Sequence, residues 1–482
     1  MERRRFAMSQ VSSRSQVVLA TLGVALALLL SALDQTVVGV AMPRIVSELH
    51  GLSYYAWVTT AYLVTSTLLV PVAGKLGDMF GRKPFLLAGM IGFIAASALC
   101  GLAQNMTELV VFRGLQGVFA GVLMASTFAV LADVFPPAQR ARMSGLFGAI
   151  FGISSVIGPT LGGYLTDGPG WRWVFYVNVP LGIAAVILVA TRLPFVRSSA
   201  RLRDIDWTGT GLLFAGLTPL LVALTLTRDH AWLSAQVLGL LALAAAMLVT
   251  FYFVEKRVEH PVVPFHLFRL NALAVPSVIS FFSGVGMFGA VIFVPLLYQG
   301  VLGVSATYSG QLLTPMMLGV VVTSTATGAL IARVPAYRFL AAGALAVMVL
   351  GMVLLTRVGP GGDPFEVTRD IVIIGAGLGV TFPLTFVVAQ AGLPRQLIGV
   401  ATSQLMFWRS LGGTIGTAVL GSILANSLPV PPTRVGLANT LHELFFVAAA
   451  IATVSVVASL TLREVPLTRQ VESLPEGVEV AA

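Results

Sequence analysis

Two ionisable side chains lie inside long apolar stretches of this sequence. Asp34 belongs to "LLLSALDQTVVGVAMP", residues 28–43, and Arg113 begins "RGLQGVFAG", residues 113–121. Placing a charge in the hydrocarbon of a membrane is costly, so such residues predict a functional site and a charged partner. A carboxylate can take up and release a proton, and a nearby guanidinium favours its charged form. The two residues could therefore form a proton-carrying pair, or an ion pair that only holds two helices together.

The composition indicates a membrane protein. The chain has 482 residues, of which 57% are hydrophobic and 10% are charged, and its mean hydropathy is +0.92. Apolar runs of roughly 18 or more residues recur, each long enough to cross about 30 Å of hydrocarbon. They lack the alternation of barrel strands, so we expect an all-α polytopic membrane protein. The one cysteine, Cys100, excludes a disulfide within the chain.

Fourteen apolar segments are predicted to cross the membrane as helices. They are residues 17–40, 54–74, 84–103, 108–131, 143–165, 173–192, 207–226, 234–254, 272–297, 308–331, 339–357, 369–391, 398–425 and 441–462. Asp34 lies about six residues from the outer end of its span, and Arg113 lies about five residues from the outer end of its own. At a rise of ~1.5 Å per residue, both are expected at nearly the same depth in the membrane. Arg113 is therefore the expected partner of Asp34. Arg409 is the other charged residue well inside a span.

Basic residues divide unevenly between the predicted loops. With a cytoplasmic N-terminus, the cytoplasmic segments contain 21 Lys and Arg residues and the external loops contain 6. This asymmetry follows the positive-inside rule, so the net charge of +9 needs no nucleic-acid partner. We expect both termini in the cytoplasm, as tails of residues 1–16 and 463–482.

The sequence contains an internal repeat. A shift of 254 residues without gaps aligns six glycine pairs: Gly74 with Gly328, Gly89 with Gly343, Gly121 with Gly375, Gly145 with Gly399, Gly158 with Gly412, and Gly162 with Gly416. The repeat predicts two equivalent six-helix bundles, residues 17–192 and 272–462. Residues 193–271 would then contain cytoplasmic linkers and two inserted helices, 207–226 and 234–254. Repeats of this kind build a midplane binding site between them.

Two further stretches combine closely spaced glycines with polar residues or proline. "GKLGDMFGRKP", residues 74–84, contains Gly74, Gly77, Gly81, Asp78, Arg82 and Lys83. Its glycines permit a tight turn between the second and third spans. The alternative interpretation is that this stretch is only a basic loop that fixes the topology. "GISSVIGPTLGG", residues 152–163, contains Gly158, Pro159, Gly162 and Gly163. That pattern permits a kink and close helix packing, which is common in membrane proteins.

The first of these stretches closely resembles the signature loop of the major facilitator superfamily, and the second resembles the antiporter motif of its drug exporters. "LDQTVVGVAMP" in the first span and "WRWVFYVNVP", residues 171–180, resemble signatures of its fourteen-helix drug:proton antiporter branch, the EmrB/QacA type. The resemblance implies the major facilitator fold with 6 + 2 + 6 helices. It also implies a conformational latch, with Asp78 near the positive end of the thirteenth span and Arg82 paired with Asp133.

The resemblance further implies a proton-coupled antiporter that exports lipophilic small molecules by alternating access. Asp34 would carry the proton, and the charge of Arg113 would adjust the proton affinity of Asp34. By family analogy the expected cavity-lining residues are Gln116, Phe288, Gln311, Phe382, Gln404 and Arg409. An exporter or proton symporter of one native metabolite or lipid is the main alternative, and a membrane enzyme or channel is a remote one.

The sequence offers no second energy source. It contains no G-x-x-x-x-G-K-[ST] phosphate loop, and His260 and His266 have no further ligands nearby in sequence, so we expect no metal, cofactor or enzyme activity. We expect a multi-pass monomer in a bacterial cytoplasmic membrane, whose partners are protons, lipid and a small lipophilic substrate. Because two interior arginines outnumber Asp34, we expect neutral, zwitterionic, anionic or monocationic substrates and no dications.

Overall fold

The computed structural model describes most of the chain. The described residues are 14–80, 82–134, 153–154, 156–193, 206–226, 230, 232–258, 261–331, 336–393, 398–429 and 433–464. The secondary structure assigned to them is helical throughout, as expected for backbone that must satisfy its own hydrogen bonds in lipid. Ten of the helices are long and apolar enough to cross a membrane.

Fourteen helices, numbered α1 to α14 in chain order, correspond one to one with the predicted spans. They are Arg14–Leu49, Tyr55–Phe80, Arg82–Leu102, Met106–Val134, residues 156–167, Asn178–Arg192, Trp207–Leu226, Ala235–Glu255, Asn271–Leu296, Ala306–Leu330, Tyr337–Leu355, Pro364–Ala391, Ile398–Ser427 and Arg434–Leu460. A one-turn helix, Trp173–Tyr176, precedes α6, and a π-helical turn, Leu297–Val301, follows α9.

Several helices extend beyond the predicted spans. α1 contains 36 residues and continues through Pro43 to Leu49. α2 runs to Phe80, so Gly74, Gly77 and Asp78 lie in a helix, and the turn predicted to begin at residue 74 is wrong. Glycine lowers helix propensity by only about 1 kcal/mol per residue, which the surrounding helical residues can offset.

The helix pairings of the first half recur in the second half. α4 packs against α1, α2 and α3, and α6 packs against α1 and α3. In the second half α12 packs against α9, α10 and α11, and α14 packs against α9 and α11. This recurrence is what an internal structural repeat produces.

The alignment of the two halves contains a shift of one helical turn. Two glycines of α4 and two of α12 lie against carbonyl oxygens of the neighbouring helix: Gly117 on Tyr62, Gly121 on Ser66, Gly375 on Met316, and Gly379 on Val320. The carbonyls are 254 residues apart, whereas the glycines are 258 residues apart. The gap-free pairing of Gly121 with Gly375 is therefore wrong, because α12 is displaced by four residues.

The inserted pair, α7 and α8, lies over the boundary between the halves. Leucines spaced along one face of α7 pack with residues of α2 and α13. They are Leu213, Leu217, Leu221 and Leu224, and their partners include Val64 and Leu68 of α2 and Phe407 and Leu411 of α13. α8 packs against α7 and is mostly exposed. α7 therefore contacts both halves at once.

Candidate functional site

Asp34 lies at the centre of a buried polar network. Its Oδ2 is 2.6 Å from Arg113 Nη1, and both side chains are almost fully buried. Its Oδ1 accepts hydrogen bonds of 3.0 Å from Gln116 Nε2 and from Asn178 Nδ2. The network joins α1, α4 and α6, and the predicted partnership of Asp34 with Arg113 is present in it.

The guanidinium of Arg113 is held on all sides. Nη1 also donates to Gln116 Oε1 at 2.7 Å, and Nε donates to the carbonyl of Val58 at 3.2 Å. Its Cζ lies 4.2 Å from the centre of the Tyr62 ring, at the distance of a cation–π contact. These contacts fix Arg113 in position and leave its charge to be balanced by Asp34.

Asn178 and Ser97 complete the network, and sequence reasoning did not identify them. Asn178 Nδ2 contacts Ser97 Oγ at 3.0 Å, and Ser97 Oγ donates to the carbonyl of Phe175 at 2.9 Å. Asn178 lies within "WRWVFYVNVP", the motif quoted above. An uncharged polar residue inside an otherwise apolar helix was the available signal, but such residues are frequent in membrane helices.

The hydrogen bonds of Asp34 match those of an ionised carboxylate. The three polar side chains within hydrogen-bonding distance of it all donate. A protonated carboxyl group would instead need an acceptor for its own O–H. Proton uptake therefore requires that at least one of these donors move away, which couples protonation to a change in side-chain contacts.

A second buried arginine lies in the other half. Arg409 of α13 is 8% exposed, and its Cζ lies 3.6 Å from the centre of the Phe382 ring of α12. Its Nε and Nη2 atoms are buried without a hydrogen-bond partner among the described residues. Of the predicted lining residues, Phe382 and Arg409 are thus brought together.

The remaining predicted lining residues lie in separate places. Gln116 belongs to the Asp34 network and is fully buried, and Phe288 is buried against Gly413. Gln311 is exposed on α10. Gln404 is buried, and its Nε2 donates to the carbonyl of Val262 in the segment between α8 and α9 at 2.8 Å.

The glycines of the second motif allow close contact between helices. A Cβ added at Gly158 or Gly162 would clash with Thr36 or Val37 of α1. A Cβ at Gly163 would clash with the backbone of Ala306 and Thr307, where α10 begins. These glycines therefore bring α5 against both halves, at the end of the molecule that the sequence predicts to be external.

Polar contacts reinforce the same end. Asp167 accepts hydrogen bonds from the amides of Ala306 at 3.3 Å and Thr307 at 2.6 Å, at the N-terminus of α10. Tyr55 donates to the carbonyl of Ile292 at 2.6 Å, and Gln299 Nε2 donates to that of Val40 at 2.8 Å. The two halves are therefore joined at this end, and Asp167 was not identified from the sequence.

The predicted conformational latch lies largely outside the described residues. The side chains of Asp78 and Asp133 and the whole of Gly81 belong to the undescribed part. Arg82, which begins α3, has an interaction partner. The pairing of Arg82 with Asp133 stays a prediction.

These features define a polytopic helical membrane protein, with a buried charge pair in one of two similar helix bundles. Residues 24–417 match the family described as Major Facilitator Superfamily, and the chain belongs to that family of transporters.

Relatives of this chain are named as drug transporters. It is 43% identical over 418 residues to "Multidrug transporter protein MdtP" of Bacillus subtilis, covering 86% of this chain and 77% of that protein. It is 37% identical over 408 residues to "Multidrug resistance protein 3" of the same organism, covering 84% and 79%. It is 32% identical over 413 residues to the "Tetracenomycin C resistance and export protein" of Streptomyces glaucescens, covering 84% and 75%.

Solved structures share the fold. A bacterial homologue of the human lysosomal transporter Spinster, in an inward-facing and occupied conformation, superposes with a TM-score of 0.71 at 14% identity. The match covers 96% of this chain and all of the other. A D-xylose-proton symporter gives a TM-score of 0.65 at 13% identity, covering 93% and 98%. At such identities the similarity is one of fold.

Proposed function

We propose that this protein is a proton-coupled antiporter that exports lipophilic small molecules from a bacterial cell across the cytoplasmic membrane. It would belong to the fourteen-helix EmrB/QacA branch, with fourteen spans and both termini in the cytoplasm. The names of the relatives support drug efflux, and the distribution of Lys and Arg supports the orientation. It would need no cofactor, because the proton gradient supplies the energy.

The Asp34 network is the observation that carries the proposal. A carboxylate in a membrane helix is costly, yet here four polar side chains from three helices are arranged around Asp34. A purely structural ion pair between two helices would need fewer partners. A carboxylate whose hydrogen-bond donors can move away is suited to take up and release a proton.

The closed external end suggests where this conformation lies in the cycle. With α5 and α10 in contact there, a route to Asp34 would open from the cytoplasm. In that state Asp34 would be ionised, paired with Arg113, and ready for substrate to bind. When the protein opens outward, Asp34 would take up a proton, lose its pairing with Arg113, and substrate would leave.

A second candidate is the export of one native metabolite by the same mechanism. Two relatives are named for single natural products: the "Tetracenomycin C resistance and export protein" and the "Probable actinorhodin transporter". The sequence and the fold are compatible with either substrate breadth. The compound that accumulates in cells lacking the transporter would decide between them.

Proteoliposomes with an acidic interior test the coupling. A pH-sensitive dye inside reports the lumen while the lipophilic monocation rhodamine 6G is added outside. Antiport predicts that the lumen becomes less acidic as protons leave in exchange for the dye. Further acidification would indicate symport, and no substrate-dependent change relative to protein-free liposomes would contradict proton coupling.

A further inference from the structure

Arg409 is a buried cation without a charged partner among the described residues. It is 8% exposed, and no described carboxylate oxygen lies within 4.0 Å of it. Arginine cannot be deprotonated in proteins, so the charge is permanent. A buried charge with no partner is unfavourable, and its retention inside a membrane helix predicts a functional role.

Two buried hydrogen-bonding positions of Arg409 share one edge of the guanidinium. Its Nε and Nη2 atoms are buried and have no hydrogen-bond partner among the described residues. By the naming convention of arginine atoms, Nη2 is trans to Cδ, so its N–H points in the same direction as the Nε–H. Two parallel N–H groups of this kind match the two oxygens of a carboxylate.

Two aromatic rings lie beside the same guanidinium. Cζ lies 3.6 Å from the centre of the Phe382 ring and 5.7 Å from that of Phe386, one turn along α12. These cation–π contacts hold the guanidinium against the aromatic side chains of α12. Both phenylalanines are only partly buried, which leaves apolar surface beside the charge.

Arg113 provides the contrast within the same protein. Its Nε donates to a backbone carbonyl, and its Nη1 donates to Asp34 and Gln116. The Asp34–Arg113 pair is therefore neutral as a unit and complete without a ligand. Among the described residues, Arg409 is the buried guanidinium whose Nε and Nη2 atoms have no hydrogen-bond partner.

We propose that the Nε–Nη2 edge of Arg409 binds the carboxylate of an amphiphilic aromatic monoanion, whose apolar part lies against Phe382 and Phe386. The inference rests on the proposed export function, because it names a class of substrate for that function. The bound carboxylate would supply the two acceptors that the described residues do not provide, and the aromatic body would cover the remaining ring surface.

Equilibrium binding of two matched probes tests the proposal. The probes are 2-naphthoate and 2-naphthamide, which share shape and aromatic area and differ in charge. The purified protein, in phosphatidylcholine nanodiscs at neutral pH, should bind naphthoate about tenfold to a hundredfold more tightly, the range expected for hydrogen bonds to a charged group. Equal affinity for the two probes would overturn the proposal.

Three variants assign the preference to Arg409. Arg409→Gln should abolish it, and Arg409→Lys should retain only part of it, because lysine keeps the charge without the paired N–H groups. Arg338→Gln, at an exposed arginine, should bind as the unchanged protein does. A preference that persists in both Arg409 variants would contradict the assignment, and the lysine variant keeps the test valid if the glutamine variant does not fold.

Adding phosphatidylglycerol to the nanodiscs distinguishes a lipid headgroup from a substrate. Loss of naphthoate binding only in its presence would assign the edge to an anionic lipid and overturn the proposal, whereas unchanged binding supports a substrate. No proton gradient is used. If the protein prefers naphthoate to naphthamide but shows no proton coupling in liposomes, the proposed function is contradicted and the proposal for Arg409 is not.

Discussion

At the scale of residues, the central feature is a carboxylate in α1 surrounded by hydrogen-bond donors from α4 and α6. Arg113 supplies charge, Gln116 and Asn178 supply neutral donors, and Ser97 holds Asn178. The arrangement stabilises an ionised Asp34 without exposing it to water. Any proton that Asp34 accepts must therefore alter contacts in α4 or α6 as well as in α1.

A double-mutant cycle distinguishes a proton carrier from a structural ion pair. Arg113→Gln should destabilise the protein by about 3–5 kcal/mol, because it leaves Asp34 buried without a charged partner. Combining Asp34→Asn with Arg113→Gln should recover most of that loss, since a neutral pair replaces the charged one. Thermal unfolding in detergent measures the stability of each variant.

The transport assay completes that cycle. If the pair carries protons, the stable double variant should still fail to couple transport to a pH gradient. Recovery of both stability and coupling in the double variant would show that the pair is only structural.

Charge was the signal that identified the pairing of Asp34 with Arg113. Asp34 and Arg113 are conspicuous because ionised residues are rare in apolar spans. Asn178 and Ser97 were missed, and Gln116 was assigned to the cavity lining, because neutral polar residues occur on many faces of membrane helices. Which face a residue occupies depends on helix packing, which one sequence does not specify.

At the scale of elements, α5 and α10 close the predicted external end. Asp167 is the last residue of α5 and accepts hydrogen bonds from the first amides of α10. Burial raises the pKa of Asp167, but these hydrogen bonds outweigh burial and hold the pKa below its ordinary value. An anion at a helix N-terminus is also favoured by the helix dipole.

Asp167→Ala should shift the protein toward an outward-open state. Ser47 and Tyr308, which are both exposed at this end, would be replaced by cysteines that carry spin labels. Double electron–electron resonance would then measure the distance between the label on α1 and the label on α10. We expect a larger population at long distance in the Asp167→Ala background. An unchanged distance distribution would show that this contact does not hold the two halves together.

The pH dependence of that contact has a definite sign. Because the pKa of Asp167 is lowered in the folded state, its contribution is complete above its ordinary pKa and is lost only as the pH falls through the lowered value. In the labelled protein that retains Asp167, titration of this residue should therefore cause no change in the distance distribution between about pH 5 and 8. A variation that disappears in Asp167→Ala would contradict this expectation.

The inserted pair contains a second buried carboxyl cluster. Asp206 precedes α7 and Glu255 ends α8, and each has one oxygen bonded to a backbone amide and one without a partner among the described residues. Both unpartnered oxygens face the space beside Gly209. Two buried carboxyl groups this close disfavour simultaneous ionisation.

Glu255→Gln should therefore raise the thermal unfolding midpoint at pH 8. The substitution removes one charge, keeps the acceptor for Val263, and adds a donor that can reach Asp206. Glu443→Gln, at an exposed glutamate, is the matched control and should leave the midpoint unchanged. A lower midpoint in Glu255→Gln would indicate that Glu255 has a charged partner instead.

Element-level prediction was reliable for the existence of helices and weaker for their ends. Hydrophobic length identified the helices α1 to α14 in the described part of the chain, but α2 continued through Gly74 and Gly77, which the sequence suggested as a turn. The glycine repeat predicted equivalent halves, yet the glycines of α12 are shifted by one helical turn relative to those of α4. Composition determines which segments enter lipid, whereas helix ends depend on local packing.

At the scale of the whole molecule, two similar bundles meet at one end and α7 lies across both. A rocking motion of the bundles would separate α5 from α10, and α7 would have to slide on α2 or α13. Alternating access requires such a motion around a site between the bundles. The charge pair lies in the first bundle and Arg409 in the second, so proton and substrate recognition would be divided between them.

The most direct measurement is gradient-driven uptake of rhodamine 6G into proteoliposomes by the Asp34→Asn variant. Asparagine keeps the shape of the side chain and cannot titrate, so the variant should accumulate no dye when a pH gradient is imposed, and a monodisperse size-exclusion profile would show that it is still folded. Arg44→Gln, at an exposed arginine, should accumulate dye as the unchanged protein does. Undiminished gradient-driven accumulation by Asp34→Asn would show that Asp34 is not the proton carrier.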